Sequence, residues 1–182
     1  ALFKGWSVSP TKTVGNEPIY VTDLSVIPTY TYQIHPNVYA FNTNKKIYDY
    51  AQILNDKEEK DLKKSVDKYI KKYNIDMVLV TIKHYNQNTL EEYMELFYNT
   101  NKFGIGDNKD GIMFTIDLKK EDIGIKTFGI TNDLYSENEL NKILTKVNKK
   151  DNTKDKLSTF IKYSNKYIDE YDSDTFDDDV LI

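Results

Sequence analysis

FGIGDNKDGIMFTID, residues 103–117, is the stretch on which the reading of this chain turns. Glycines at 104, 106 and 111 let the backbone turn where a Cβ would clash. Asp107 and Asp110 set carboxylates beside Ile112–Ile116, a run apolar enough to be a core strand. An acidic, glycine-rich loop abutting a core strand is a common ligand position in α/β domains.

The pattern extends outward in both directions. Upstream, Ile75–Ile82 (IDMVLVTI) is a nearly continuous apolar run, as expected of a strand covered on both faces. Ile47–Ala51 is a shorter strand carrying Asp49. Between these two, Asn55 with Glu58 forms a capping box, followed at helical spacing by Leu62, Val66, Tyr69, Ile70 and Tyr73. Thr89 caps a second helix, with Glu91 and Glu92 in its first turn and Leu90, Tyr93 or Met94, and Phe97 on its buried side.

Downstream, a tight turn at 119–121 leads to a strand over Ile123–Phe128. So short a connection requires an antiparallel hairpin. Ser136 with Glu139 opens a helix carrying Leu140, Ile143, Leu144 and Val147. A break at Asp151–Thr153 precedes a last helix presenting Leu157, Phe160, Ile161 and Ile168. The order β-α-β-α-β-β-α-α predicts an α/β fold: an α/β/α sandwich with a mixed four-stranded sheet and helices on both faces.

Three segments follow. Residues 1–44 hold all four prolines (10, 18, 28 and 36) and read as an N-terminal extended arm or edge strands, with Pro18–Ser25 and Thr29–Ile34 as strand candidates and Trp6 pinning the arm. Residues 45–171 form the α/β domain. Residues 172–182 close the chain as an acidic, solvated tail, the end of the run DEYDSDTFDDD.

Composition narrows the function. At 182 residues and 39% hydrophobic, the chain can bury one ordinary core. Net charge −4 and a pI near 5.3 argue against nucleic acid as a partner. All 25 basic residues are lysine, so no guanidinium clamp on a phosphate exists. Without cysteine there is no disulfide, thiol nucleophile or thiolate metal site. No apolar run approaches the ~18–20 residues that span a bilayer. The chain starts at Ala1 rather than methionine, consistent with removal of a signal peptide or anchor.

The motifs IYDYAQIL, DMVLVTI, LEEYMELF, FGIG, DGIMFTID and IKTFGITNDL, in this order over roughly residues 45–149, resemble the TPM domain. That family occurs in thylakoid-lumen, bacterial envelope and animal membrane-associated proteins and includes reported acid phosphatases. The resemblance aligns Asp49, Gly104 with Gly106, Asp110-Gly111 and Asp117 with family positions. Two departures stand out. Leu118 and Lys119 occupy the place where an arginine commonly follows the strand-closing aspartate, and Gly129 alone remains of a later G-x-G pair. Both remove parts of the pattern that goes with phosphatase chemistry.

Asp49, Asp107 and Asp110 are the candidate metal ligands, on the premise that their strands are neighbours and the carboxylates converge. An all-oxygen set selects Ca²⁺ or Mg²⁺. The plainer alternative is that Asp107 and Asp110 supply turn chemistry and a cap. The loop matches neither an EF-hand nor a P-loop. His35 and His84 are isolated, and the 15 tyrosines fit core and rim packing.

Two functions follow. In one, a metal-assisted phosphomonoester hydrolase uses a cation on Asp49, Asp107 and Asp110, with Asp117 as candidate base. In the other, an extracytoplasmic, membrane-associated accessory domain binds the cation for rigidity and meets a membrane-protein or envelope partner. The second asks only for carboxylates, whereas the first also needs a nucleophile and a general acid that no motif supplies. The resemblance implies a location outside the cytoplasm, in the cell envelope or secreted, with the full-length protein membrane-anchored.

Overall fold

A computed structural model describes residues 13–14, 17–18, 44–85 and 87–178, with side chains described for 44–85 and 87–171. The chain divides into two units, 1–36 and 37–182. In the first, β1 (Thr13–Val14) pairs antiparallel with β2 (Glu17–Pro18). The remaining readings of the arm, including Trp6, His35 and the strands over 18–25 and 29–34, lie outside the described residues apart from Pro18.

The second unit carries β3 (Ile47–Asp49), α1 (Asp56–Tyr73), β4 (Asp76–Ile82), α2 (Leu90–Thr100), β5 (Gly111–Asp117), β6 (Asp122–Phe128), α3 (Thr131–Leu134), α4 (Glu137–Asn148) and α5 (Thr153–Asp178). The sheet order is β3-β4-β5-β6. Helical crossovers make β3, β4 and β5 parallel, and the short turn makes β6 antiparallel to β5. Apart from α3, the elements of this unit follow the predicted order, and the mixed four-stranded sheet with helices on both faces is the predicted α/β fold.

Local chemistry explains the helix boundaries. Asn55 Oδ1 accepts the Glu58 N–H at 3.0 Å while Glu58 returns the bond to the Asn55 N–H. Ser136 and Glu139 repeat this at α4. Thr89 Oγ1 accepts the Glu92 N–H at 3.1 Å. Each satisfies N–H groups that the first helical turn leaves without partners. Asn74, at φ 54°, closes α1 in the left-handed conformation.

All seven residues of β4 are buried, as are all seven of β5. Alternation sends Ile47, Met77, Leu79, Ile112, Phe114 and Ile116 to one face, where they meet α1, α4 and α5. Tyr48, Val78, Val80, Ile82 and Met113 go to the other, against α2. Both Tyr93 and Met94 of α2 are buried, so the helix presents a wider apolar stripe than one residue per turn. Helix α5 continues to Asp178, into the stretch read as a tail.

The second core is aromatic. Tyr48, Phe97 and Phe103 pack with ring centroids 5.4–5.7 Å apart, and Tyr98 stacks on Phe128 at 3.7 Å. Burial raises the phenol pKa of Tyr48, Tyr93 and Tyr98, and that of Tyr50 to about 12. On the opposite face, Tyr69 and Tyr135 are raised by burial as well and share a 2.9 Å hydrogen bond. A pKa raised in the folded state makes the unfolded chain lose protons first as pH rises. Stability from these phenols is therefore full below the unfolded value near 10.0 and declines above it. Denaturant midpoints measured from pH 8 to 11.5 should hold level up to about pH 10 and then fall steeply, with tyrosinate absorbance lagging until the protein unfolds.

Candidate functional site

Strand register separates the candidate carboxylates. Asp49 pairs with Thr81, near the carboxyl end of β4. Asp110 directly precedes Gly111, which pairs with Asp76 at the amino end of β4. Five residue steps of β4 separate these points, roughly 15–20 Å along the sheet. In addition, β4 lies between β3 and β5, so the strands are not neighbours as the convergence premise required. The structure thus brings Asp107 and Asp110 onto one loop and leaves Asp49 at the opposite edge. Among the described residues, no group of three His, Cys, Asp or Glu side chains is placed to share a metal ion.

Each aspartate has local work. At the carboxyl edge, Asp49 Oδ2 accepts the backbone N–H groups of Ile53 and Leu54, both at 2.8 Å. The Thr81 hydroxyl donates to Asp49 Oδ1. These bonds fold the β3–α1 connection and join it to β4. Asp117, fully buried, accepts the N–H groups of Lys119 (2.7 Å) and Lys120 (3.0 Å) at Oδ1 and so builds the β5–β6 turn. Its Oδ2 is buried without a hydrogen-bond partner among the described residues. Register puts Asp117 opposite Ile82, on the α2 face, whereas Asp49 and Thr81 share the other face. The charge of Asp117 adds to the burial and the Tyr50 interaction that raise the Tyr93 pKa.

The glycine loop forms the amino edge and closes on itself. Ile105 and Asp110 form an antiparallel bridge, with N···O distances of 3.0 and 2.9 Å. Gly104 has φ +100°, and a Cβ there would lie 2.4 Å from the Lys109 carbonyl. Asp110 Oδ1 accepts the Ile130 N–H at 2.8 Å, fastening the start of α3. Gly129 makes that contact feasible: at φ +64°, a Cβ would sit 2.2 Å from Asp110 Oδ1. The turn-and-cap alternative therefore describes Asp110, while Asp107 is exposed.

Sequence reading missed Asp76, which is 2% exposed. Its Oδ2 accepts both the Lys46 ammonium and the Gly104 N–H at 2.9 Å, and its Oδ1 is buried without a partner among the described residues. Lys46 also lies 5.1 Å from the centre of the Phe103 ring. A charged residue opening an otherwise apolar run is the signal that marks it. His84, exposed beyond β4, stacks on Tyr85 and touches none of these groups.

These features define an α/β/α domain with a mixed sheet whose two edges are each closed by carboxylate-to-backbone bonds. The chain belongs to the TPM domain family (TPM_phosphatase), whose model matches residues 47–177. No curated protein matches it. Among solved structures, it is similar to the BA42 protein of the psychrophilic bacterium Bizionia argentinensis, with TM-score 0.57 and 18% identity over 66% of this chain and 84% of that one. The N-terminal domain of cg2496 from Corynebacterium glutamicum gives 0.54 and 10% identity over 73% and 84%. The N-terminal domain of a P. gingivalis protein gives 0.52 and 13% over 75% and 85%. Such low identities establish a shared fold.

Two outcomes test this geometry. Asp76→Ala strands Lys46 and the Gly104 N–H and should cost about 2–3 kcal/mol in urea unfolding, the low side of breaking a buried pair because Lys46 is partly solvated. Asp49→Ala should lower stability by about 1–3 kcal/mol through its lost N–H and hydroxyl partners. It should leave any Ca²⁺ isotherm identical to that of the parent; equal losses of Ca²⁺ affinity in Asp49→Ala, Asp107→Ala and Asp110→Ala would establish one shared site.

Proposed function

We propose that this TPM domain is a non-catalytic accessory module that meets a membrane-protein or envelope partner outside the cytoplasm. The observation that carries the reading is the structural employment of the carboxylates. Asp49, Asp110 and Asp117 each commit at least one oxygen to backbone N–H groups of a neighbouring turn. A carboxylate holding a turn together is a poor base, because protonating it or moving it loosens the fold. Asp49, Asp107 and Asp110 do not fit a single cation site, so no reaction step is assigned to one. Ca²⁺ or Mg²⁺ enters this reading only at Asp107 and Asp110, as a rigidifying ion of the loop.

Placement in the envelope rests on the family resemblance. Among the described residues, no helix is long and apolar enough to cross a membrane.

A second reading, phosphomonoester hydrolysis, draws on one atom: Oδ2 of Asp117, without a hydrogen-bond partner among the described residues, at the carboxyl ends of parallel strands, where α/β domains commonly bind ligands. The two readings part in one assay. With p-nitrophenyl phosphate across pH 4–8 and added Ca²⁺ or Mg²⁺, the accessory module should give no turnover above the uncatalysed rate. Turnover that Asp117→Asn abolishes in a protein of unchanged melting temperature would replace the accessory reading with the hydrolase.

A further inference from the structure

Helices α4 and α5 enclose an open groove of about 700 Å³ on the face away from the sheet, within the size range of ligand sites. Four lysines border it: Lys142 and Lys146 from α4, Lys162 and Lys166 from α5. All four are exposed. Lys142, Lys146 and Lys162 form no ion pair among the described residues, and Lys166 meets Glu170 at 3.0 Å. This contrasts with Lys45, Lys46, Lys63, Lys72 and Lys126, each of which is paired with a carboxylate. On a chain of net charge −4, these lysines gathered on one groove give it a local positive field.

Two tyrosine rings lie beneath three of the ammonium groups. Lys146 and Lys162 each lie 5.8 Å from the Tyr163 ring centre, and Lys166 lies 5.1 Å from that of Tyr167. With ammonium groups over the rings and Tyr167 only 7% exposed, the faces are poorly open to a stacking base. The rest of the lining is Asn138, Asn141 and Thr145, which offer amides and a hydroxyl. Among the described residues no aliphatic side chain lines it, so a peptide helix would find no apolar anchor among them. A second depression of about 270 Å³ between α1 and α5 adds Lys68 and shares Lys162, extending the cationic track.

We infer that the α4–α5 groove binds an anionic glycan, a polyhydroxylated chain bearing carboxylate, sulfate or phosphate groups. The lysines take the anionic groups as point charges, and the amides and Thr145 hydrogen-bond the hydroxyls. This goes beyond the accessory reading by assigning a surface and a ligand chemistry, and it does not depend on the aspartates.

The test is fluorescence anisotropy with labelled oligomers of polyuronate, sulfated dextran, a polyol phosphate and neutral dextran, each at several salt concentrations. At least one anionic glycan should bind and neutral dextran should not, with affinity falling as salt rises. Changing Lys142, Lys146, Lys162 and Lys166 to Gln should weaken binding by about tenfold or more and flatten the salt dependence. Changing Lys83, Lys102, Lys119 and Lys120 to Gln alters net charge equally and should shift affinity by less than about twofold, since these lie outside the groove. Circular dichroism melts confirm that both variants fold. Equal losses in the two variants, no binding to any anionic glycan, or tighter binding to polyglutamate, a single-stranded oligonucleotide or anionic vesicles would overturn the assignment.

Discussion

A carboxylate taken out of water must find partners, and Asp76 finds them in two segments far apart in the chain. Lys46 leads into β3, and Gly104 opens the loop that feeds β5. Both converge on the first residue of β4, the strand between β3 and β5. One side chain thereby ties the amino edge of the three parallel strands together. The glycine loop then follows from geometry: its chain must turn back at Gly104 and bridge Ile105 to Asp110 before it enters β5 in register with Asp76. Gly111 completes the fit, because a Cβ there would lie 1.9 Å from the Tyr98 hydroxyl oxygen. Tyr98 is itself stacked on Phe128.

The carboxyl edge is fastened by the same chemistry with different residues. Asp49 gathers the β3–α1 connection, and Asp117 the β5–β6 turn. Acidic side chains are well suited to closing turns, since each accepts several N–H bonds and hydrogen bonds to a charged acceptor are the stronger ones. An aspartate beside a strand terminus is thus ambiguous when read as sequence. It can be the ligand of an ion or the knot in a turn, and the difference lies in where the neighbouring N–H groups point.

Much of the architecture was legible for reasons that are local. Capping boxes at Asn55 and Ser136 depend on residues three apart, and the short β5–β6 connection admits one pairing direction. The doubly covered β4 announces itself by having almost no polar residue. Helix α3, with only four residues, is too short for its periodicity to emerge. Asp49 does not converge with Asp107 and Asp110 because of a relation between elements. Asp49 ends its strand and Asp110 precedes its own; once helical crossovers make both strands parallel to β4, the two must occupy opposite edges. That argument was available from the order of elements, and it outranks the attraction of counting carboxylates. A charge opening an apolar run marks Asp76 in the sequence, but not its role, which depends on Gly104, twenty-eight residues away.

Fold membership in this chain is a matter of packing and turn closure. The same fold is shared with solved structures at 10–18% identity, as expected where apolar alternation and turn closure constrain the fold. The acidic residues at the sheet edges are largely engaged with the protein's own backbone. Lys142, Lys146 and Lys162, without an ion pair among the described residues, gain little for the fold, since exposed cations clustered together repel one another. Residues that stabilise the fold lie at the two ends of the sheet, while a charge distribution that folding alone does not require lies on the outer helical layer. Function is better sought where side chains are costly to keep than where they are already engaged.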